Sequence, residues 1–197
     1  MAQAGTVKTS RRDVILRAAA QLFARRGIAE TNLRQIARKA RISNGTLHYH
    51  FPSKDKLVET LILTAVAPLG RQAWQIAHTD EHVRRQLDGL VRLAFELFDF
   101  DWNTYYVALL LGDHLRTALP PQFPTATEPI AEIVRRGQGA SLVRDRKPLM
   151  LAILCHGIIL RVPRARTFNE IEAPISQYVD QVVDACWRVP ARDRADL

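Results

Sequence analysis

Cysteine is scarce: two thiols, Cys155 and Cys186, stand in 197 residues, too few for the disulfide framework of a small exported domain. No targeting leader is evident, since the first ten residues are polar and lack the apolar stretch of a signal peptide. No apolar run is long enough to span a bilayer; the longest, 149–160, is interrupted by His156 and Gly157. The expectation is a cytoplasmic protein without a membrane partner. Enzyme signatures are missing as well: there is no phosphate-binding loop, no nucleophile elbow and no Cys-x-x-Cys pair. The run Arg136-Gly137-Gln138-Gly139 lacks the third glycine and the preceding strand that a dinucleotide site requires. His78 and His82 are four residues apart, but Thr79-Asp80 between them reads as a break between helices, so no metal site is expected. No cofactor and no catalytic residue follow from the sequence.

What is present is a folded composition, 47% hydrophobic, with an uneven charge. Residues 1–60 hold 12 Lys or Arg against 4 Asp or Glu, whereas residues 61–197 hold 16 of each. The whole net charge of +8 therefore lies in the first third. A basic segment joined to a neutral one is the footprint of a module that binds a polyanion.

Within that basic third, Val14, Ile15, Ala18, Ala19, Leu22 and Phe23 repeat at helical spacing, with Ser10 as a cap and Gly27 as a stop. This spacing predicts a helix over 11–26. In the next stretch, TNLRQIARKARISNGTLHYHFPSKDK over 31–56, Leu33, Ile36, Ala37 and Ala40 form one apolar face behind Thr31 and Asn32 as candidate caps. A turn at Arg41-Ile42-Ser43 leads to a second short helix over 45–50, whose Leu47 and Phe51 can meet that face. Pro52-Ser53 ends it and opens a further helix. Two short helices crossing at a small residue, here Ala37, form a helix-turn-helix, whose second helix presents polar side chains to a DNA major groove. Asn44, Thr46, His48, Tyr49 and His50 form that set, with no acidic member.

The pieces ILRAAAQLFARRG (15–27), TNLRQIARKARIS (31–43) and GTLHYHFPSK (45–54) together resemble the amino-terminal domain of the TetR family of bacterial transcriptional regulators. The resemblance implies that Arg34, Asn44, Gly45, Thr46, His48, Tyr49, His50 and Lys54 face DNA. Two positions depart from the usual pattern: Arg41 replaces a turn glycine, and His48 replaces a tyrosine. A non-glycine residue at a left-handed turn position costs about 1 kcal/mol.

Beyond residue 56 the pattern stays helical and no strand is indicated. One helix is expected from 53 to 77, broken or kinked at Pro68, and others over 80–99, 102–118, 126–138, 146–161 and 168–188. Pro120-Pro121, Phe123-Pro124 and Val162-Pro163 mark breaks. Aromatic and apolar residues near a few polar groups suggest a small-molecule pocket from Phe98, Trp102, Tyr106, Leu110 and His114, for a largely apolar effector. Leu149, Ile153, His156, Gly157 and Leu160 on one helix, and Ile175, Tyr178, Val179, Val182 and Cys186 on the last, form stripes expected to pair two copies in a four-helix bundle. Cys155 and Cys186 read as buried fillers.

The sequence thus predicts an all-α protein with a helix-turn-helix DNA-binding domain over 1–56 and a helical effector-binding and dimerisation domain over 57–197. Its expected partners are double-stranded operator DNA, a second copy of the chain and a small-molecule effector; repression is the commoner mode in the family it resembles. Two alternatives stay open: a DNA-binding protein without an effector, and a cytosolic enzyme built on the aromatic helices.

Overall fold

The structure, a computed structural model, describes residues 10–111 and 127–191. Its first three helices, α1 (Arg11–Arg26), α2 (Leu33–Ala40) and α3 (Asn44–His50), are set by their caps. Ser10 and Asp13 bond each other's backbone amides at 3.1 Å, and Asn32 and Gln35 do the same at 3.0 and 2.9 Å. These reciprocal bonds satisfy two otherwise unpaired amides at each helix start. The bond from Ser10 holds the Asp13 carboxyl below the usual carboxylate range. Ser43 caps α3 through the Thr46 amide at 3.0 Å.

The turn between α2 and α3 passes through Arg41 in a left-handed conformation, φ 56 and ψ 47. The Ile42 amide then reaches back to the Ala37 carbonyl at 3.0 Å, closing the helix end as a glycine would allow without strain. Ile36, Ala37, Leu47 and Phe51 are buried with Ile15, Ala19 and Phe23 of α1.

α4 (Lys54–Ala77) is one continuous helix of 24 residues, about 36 Å long. It runs through Pro68 rather than ending there, because only the bond from the proline nitrogen is lost while burial of Val66, Leu69 and Ala73 holds both halves. Its first half, Leu57 to Val66, belongs to the core of the headpiece. Ala73 and Ala77 belong to the core of the body. The two cores therefore meet inside α4, beyond the 56/57 boundary expected from sequence.

The body contains α5 (Val83–Phe100), α6 (Trp102–Tyr106), α7 (Thr127–Gly139), α8 (Pro148–Thr167) and α9 (Val179–Arg188). α6 continues as a π-helical turn, Val107–Leu111; the rest of the helix expected to 118 lies outside the described residues, as do Pro120-Pro121 and Phe123-Pro124. α8 runs past Val162-Pro163, where a break was expected. It stops at Phe168, and Asn169 takes a left-handed φ of 55. Residues 168–174 are consequently not helical; a 3-10 turn (Ile175–Tyr178) precedes α9. Among the described residues no strand forms, and Val143 and Ala191 make an isolated antiparallel bridge. α5 and α9 are joined by the ion pairs Arg84–Asp184 and Arg92–Asp180.

Candidate nucleic-acid interface, cavity and apolar face

On α3 the fold uses one face and leaves the other bare. Leu47 is fully buried, while Asn44, Gly45 and His48 are exposed and Tyr49 is 85% exposed. The Tyr49 ring stands edge-on to His50 with centroids 5.3 Å apart, and His50 is half-buried. The Thr46 hydroxyl lies 2.9 Å from the Ser43 hydroxyl, within the cap. A β-carbon on Gly45 would meet only the Ser43 oxygen, at 3.8 Å, so the internal packing does not demand glycine there.

Arg34, the second residue of α2, is exposed beside α3. Together with Asn32, Leu33, His48 and Lys54 it lines a shallow hollow at the start of α2. Helix-start amides and cations at one hollow suit an anion. Three of the residues expected to face DNA, Arg34, His48 and Lys54, line this hollow, but the partners of Lys54 are not legible in the sequence. That ammonium donates to the carbonyls of Ile28 at 3.0 Å and Ala29 at 3.2 Å, a contact between residues far apart in sequence. Arg12 lies over the Phe51 ring at 5.4 Å, joining the start of α1 to the end of α3.

The aromatic residues expected to line a pocket instead stack on one another. Trp102 is 5.5 Å from Phe98 and stacked on Tyr106 at 5.8 Å, and the Arg166 guanidinium covers the Trp102 ring at 4.0 Å. Arg166 also lies 3.8 Å from Asp99, whose carboxylate accepts the Ile175 and Ser176 amides, both at 2.9 Å. The group is thus a packed stack that fixes α6 and the 3-10 turn. His114 lies outside the described residues.

Among the described residues an apolar cavity of about 50 Å³ lies between α4, α5, α7 and α8. Val66, Leu69 and Ala73 of α4, Leu90 and Ala94 of α5, and Leu109 of the π-helical turn form much of its wall. Phe98, Trp102, Tyr106 and Leu110 are not part of that wall. Its polar side chain is His156, with Nδ1 3.1 Å from the Thr127 hydroxyl. Both His156 and Leu160 line this cavity, so neither belongs to the outer stripe assigned from sequence.

On the outer side of α8, Leu149, Met150, Ile153 and Leu154 are each about half exposed, and Gly157 is exposed among them. A β-carbon on Gly157 would meet nothing within 4 Å. The helix is apolar on both sides because its inner face fills the core, and by length and composition alone it is apolar enough to cross a membrane, contrary to the expectation that His156 and Gly157 interrupt the run. The expected stripe on the last helix is corrected: Ile175, Val179, Val182 and Cys186 are buried in the chain's own core, since α9 packs on α5 and α8. Tyr178 is half-buried and its hydroxyl accepts the Glu172 amide at 3.3 Å. The outer side of α9 carries Asp180, Gln181, Asp184 and Arg188. Cys155 and Cys186 are free thiols, both fully buried, each directed at the other's carbonyl at 3.4 and 3.7 Å. The Cys155 thiol and burial together push the Cys186 thiol up.

Residues 15–61 match the family model for bacterial regulatory proteins, tetR family. Over 90 residues the chain is 38% identical to the HTH-type transcriptional repressor KstR2 of Mycolicibacterium smegmatis, covering 46% of this chain and 44% of that protein. The chain spans about half the length of the curated relatives it matches. Among solved structures, the fatty acid degradation regulator FadR from Bacillus halodurans superposes with a TM-score of 0.77 at 17% identity, covering 91% of this chain and 95% of that one. AibR in complex with isovaleryl coenzyme A and operator DNA superposes with a TM-score of 0.71 at 18% identity, covering 89% and 97%. At these identities the likeness is one of fold.

Proposed function

Because the chain belongs to the TetR family of bacterial regulatory proteins, we propose that it is an effector-responsive transcriptional repressor rather than an enzyme. It binds a palindromic operator in the cytoplasm as a homodimer. One α3 enters the major groove at each half-site, about 34 Å from the other. Asn44, Gly45, Thr46, His48 and Tyr49 meet bases and nearby phosphates, and Arg34 meets the backbone. The observation that carries this reading is Tyr49, 85% exposed on α3 in the basic third of the chain. A large aromatic held out of the core on a helix whose Leu47 is fully buried is placed for an outside partner.

The two copies meet through the outer face of α8. Four half-exposed aliphatic side chains around Gly157 form an apolar strip of the kind that association covers. The effector is a largely apolar small molecule that enters the cavity against α4 and α8. At about 50 Å³ the cavity is far smaller than a typical pocket for a ligand of that class. Binding must therefore widen it, and widening displaces α4, the helix shared by both cores. A ligand acts only through its differential affinity for the two arrangements, and a tenfold difference is worth about 1.4 kcal/mol. AibR, described in complex with both an acyl thioester and operator DNA, supports a fold that holds both kinds of partner.

Selection of bound fragments from the source genome at low salt tests the DNA reading; a protein that retains no duplex fragment overturns it. A thermal-melt screen with monocarboxylates, branched acyl thioesters and halogenated phenols tests the effector reading. A compound that raises Tm and weakens operator binding supports it. A flat screen favours a DNA-binding protein without an effector.

A further inference from the structure

Lys54 is the first residue of α4, a position where a cation is disfavoured by the positive end of the helix dipole. Its ammonium is instead held by carbonyls, Ile28 O at 3.0 Å and Ala29 O at 3.2 Å. Bonds from a charged donor are stronger than those between neutral groups, and these two occupy two of the three ammonium protons. The carbonyls belong to the turn between α1 and α2, which is closed on itself. The Thr31 amide donates to Ile28 O at 3.3 Å, and the Thr31 hydroxyl donates to Gly27 O at 2.9 Å. Immediately after this turn, the Asn32–Gln35 capping box starts α2 and sets Arg34.

From this geometry we infer that Lys54 is a positioning residue for DNA binding rather than a phosphate contact. It ties the first residue of α4 to the turn that aims α2, so a shift of α4 is transmitted to the angle at which Arg34 and the α2 amides meet the DNA. The inference rests on the DNA-binding reading above and assigns within it a role that sequence alone does not.

Salt dependence separates the two roles. Each phosphate contact adds about 0.9 to the slope of log K against log salt. For the full-length protein on a genome-selected operator duplex, Lys54→Met is expected to bind at least about tenfold more weakly with the wild-type slope. Arg34→Met, removing a backbone contact, lowers the slope by about 0.9. A slope for Lys54→Met reduced as much as that of Arg34→Met overturns the inference, as does wild-type affinity. If Lys54→Met does not fold, Lys54→Arg decides: it keeps the charge but replaces the compact ammonium that donates to both carbonyls with a planar fork of different reach and geometry. A phosphate contact would survive that change with full affinity, overturning the inference; a strut would not, and binding would weaken at unchanged slope. Failure of the wild type to bind any duplex would instead sink the DNA-binding reading itself.

Discussion

Leu109 forms part of the cavity wall, while Val107, two residues earlier on the same π-helical turn, is fully buried in the core of the headpiece. One five-residue turn therefore touches both the space proposed for the effector and the helices proposed for DNA. Packed interiors do not deform continuously, so a ligand that moves Leu109 must also move Val107 against α1. Filling the cavity should remove the signal at its origin. Ala94→Leu is expected to keep operator affinity within about threefold and to abolish the Tm rise from any active compound of the screen. A retained Tm rise would place the effector elsewhere. The affinity window reflects a body substitution with no DNA contact.

The exposure of Tyr49 makes a sharp contrast between stability and binding. Tyr49→Ala removes a ring whose packing is limited to an edge contact with His50. Its unfolding free energy should stay within about 0.5 kcal/mol of wild type. Operator binding should weaken by about 1–3 kcal/mol, read by fluorescence anisotropy. A loss of stability with binding intact would make the ring structural.

Arg41 carries a strain that glycine would relieve. Its left-handed backbone, φ 56 and ψ 47, costs a residue with a β-carbon about 1–2 kcal/mol, and glycine returns part of that gain as chain entropy. Arg41→Gly is expected to stabilise the protein by about 0.5–1 kcal/mol, a Tm rise of about 2–4 °C for each kcal/mol in a chain of this size. A fall in Tm by differential scanning calorimetry would show that the arginine side chain contributes more than its backbone strain removes.

The headpiece was legible because its signals are local. Ser10, Asn32 and Ser43 each cap a helix through a residue three positions on, and Leu47 and Phe51 were readable as core from spacing alone. The body was read less well wherever a side chain's role depends on distant partners. The stripe Val179, Val182 and Cys186 has the spacing of an interface, but spacing does not say whether the covering surface comes from the same chain; here it is α5 and α8. His156 sits between Gly157, which faces out, and Cys155, which faces in, so sequence could not assign it to the cavity. The cavity itself draws on Val66, Leu90, Ile130 and Ile159, four positions that no local pattern brings together. The proline signal at Val162-Pro163 also misled, since buried neighbours carry α8 through Pro163; at Pro68 the helix expected over 53–77 does form, without a break. The paired carbonyls of Lys54 follow from tertiary structure alone.

The outer face of α8 gives the remaining test, because it separates assembly from folding. Ile153 is 48% exposed beside Leu149 and Leu154, so an acidic residue there stays hydrated in the single chain. In a symmetric pair the same residue is buried twice, near its own copy, and each unpaired carboxylate then costs at least about 2 kcal/mol. Ile153→Asp should therefore keep its helical circular dichroism and sediment as a monomer at concentrations where the wild type is a dimer. Operator affinity should fall steeply in the same variant, since one half-site must be bound without the other. A control at Val182, buried within the chain, should behave oppositely: Val182→Asp is expected to unfold rather than merely dissociate. If Ile153→Asp sediments like the wild type, the apolar strip is covered by something other than a second copy.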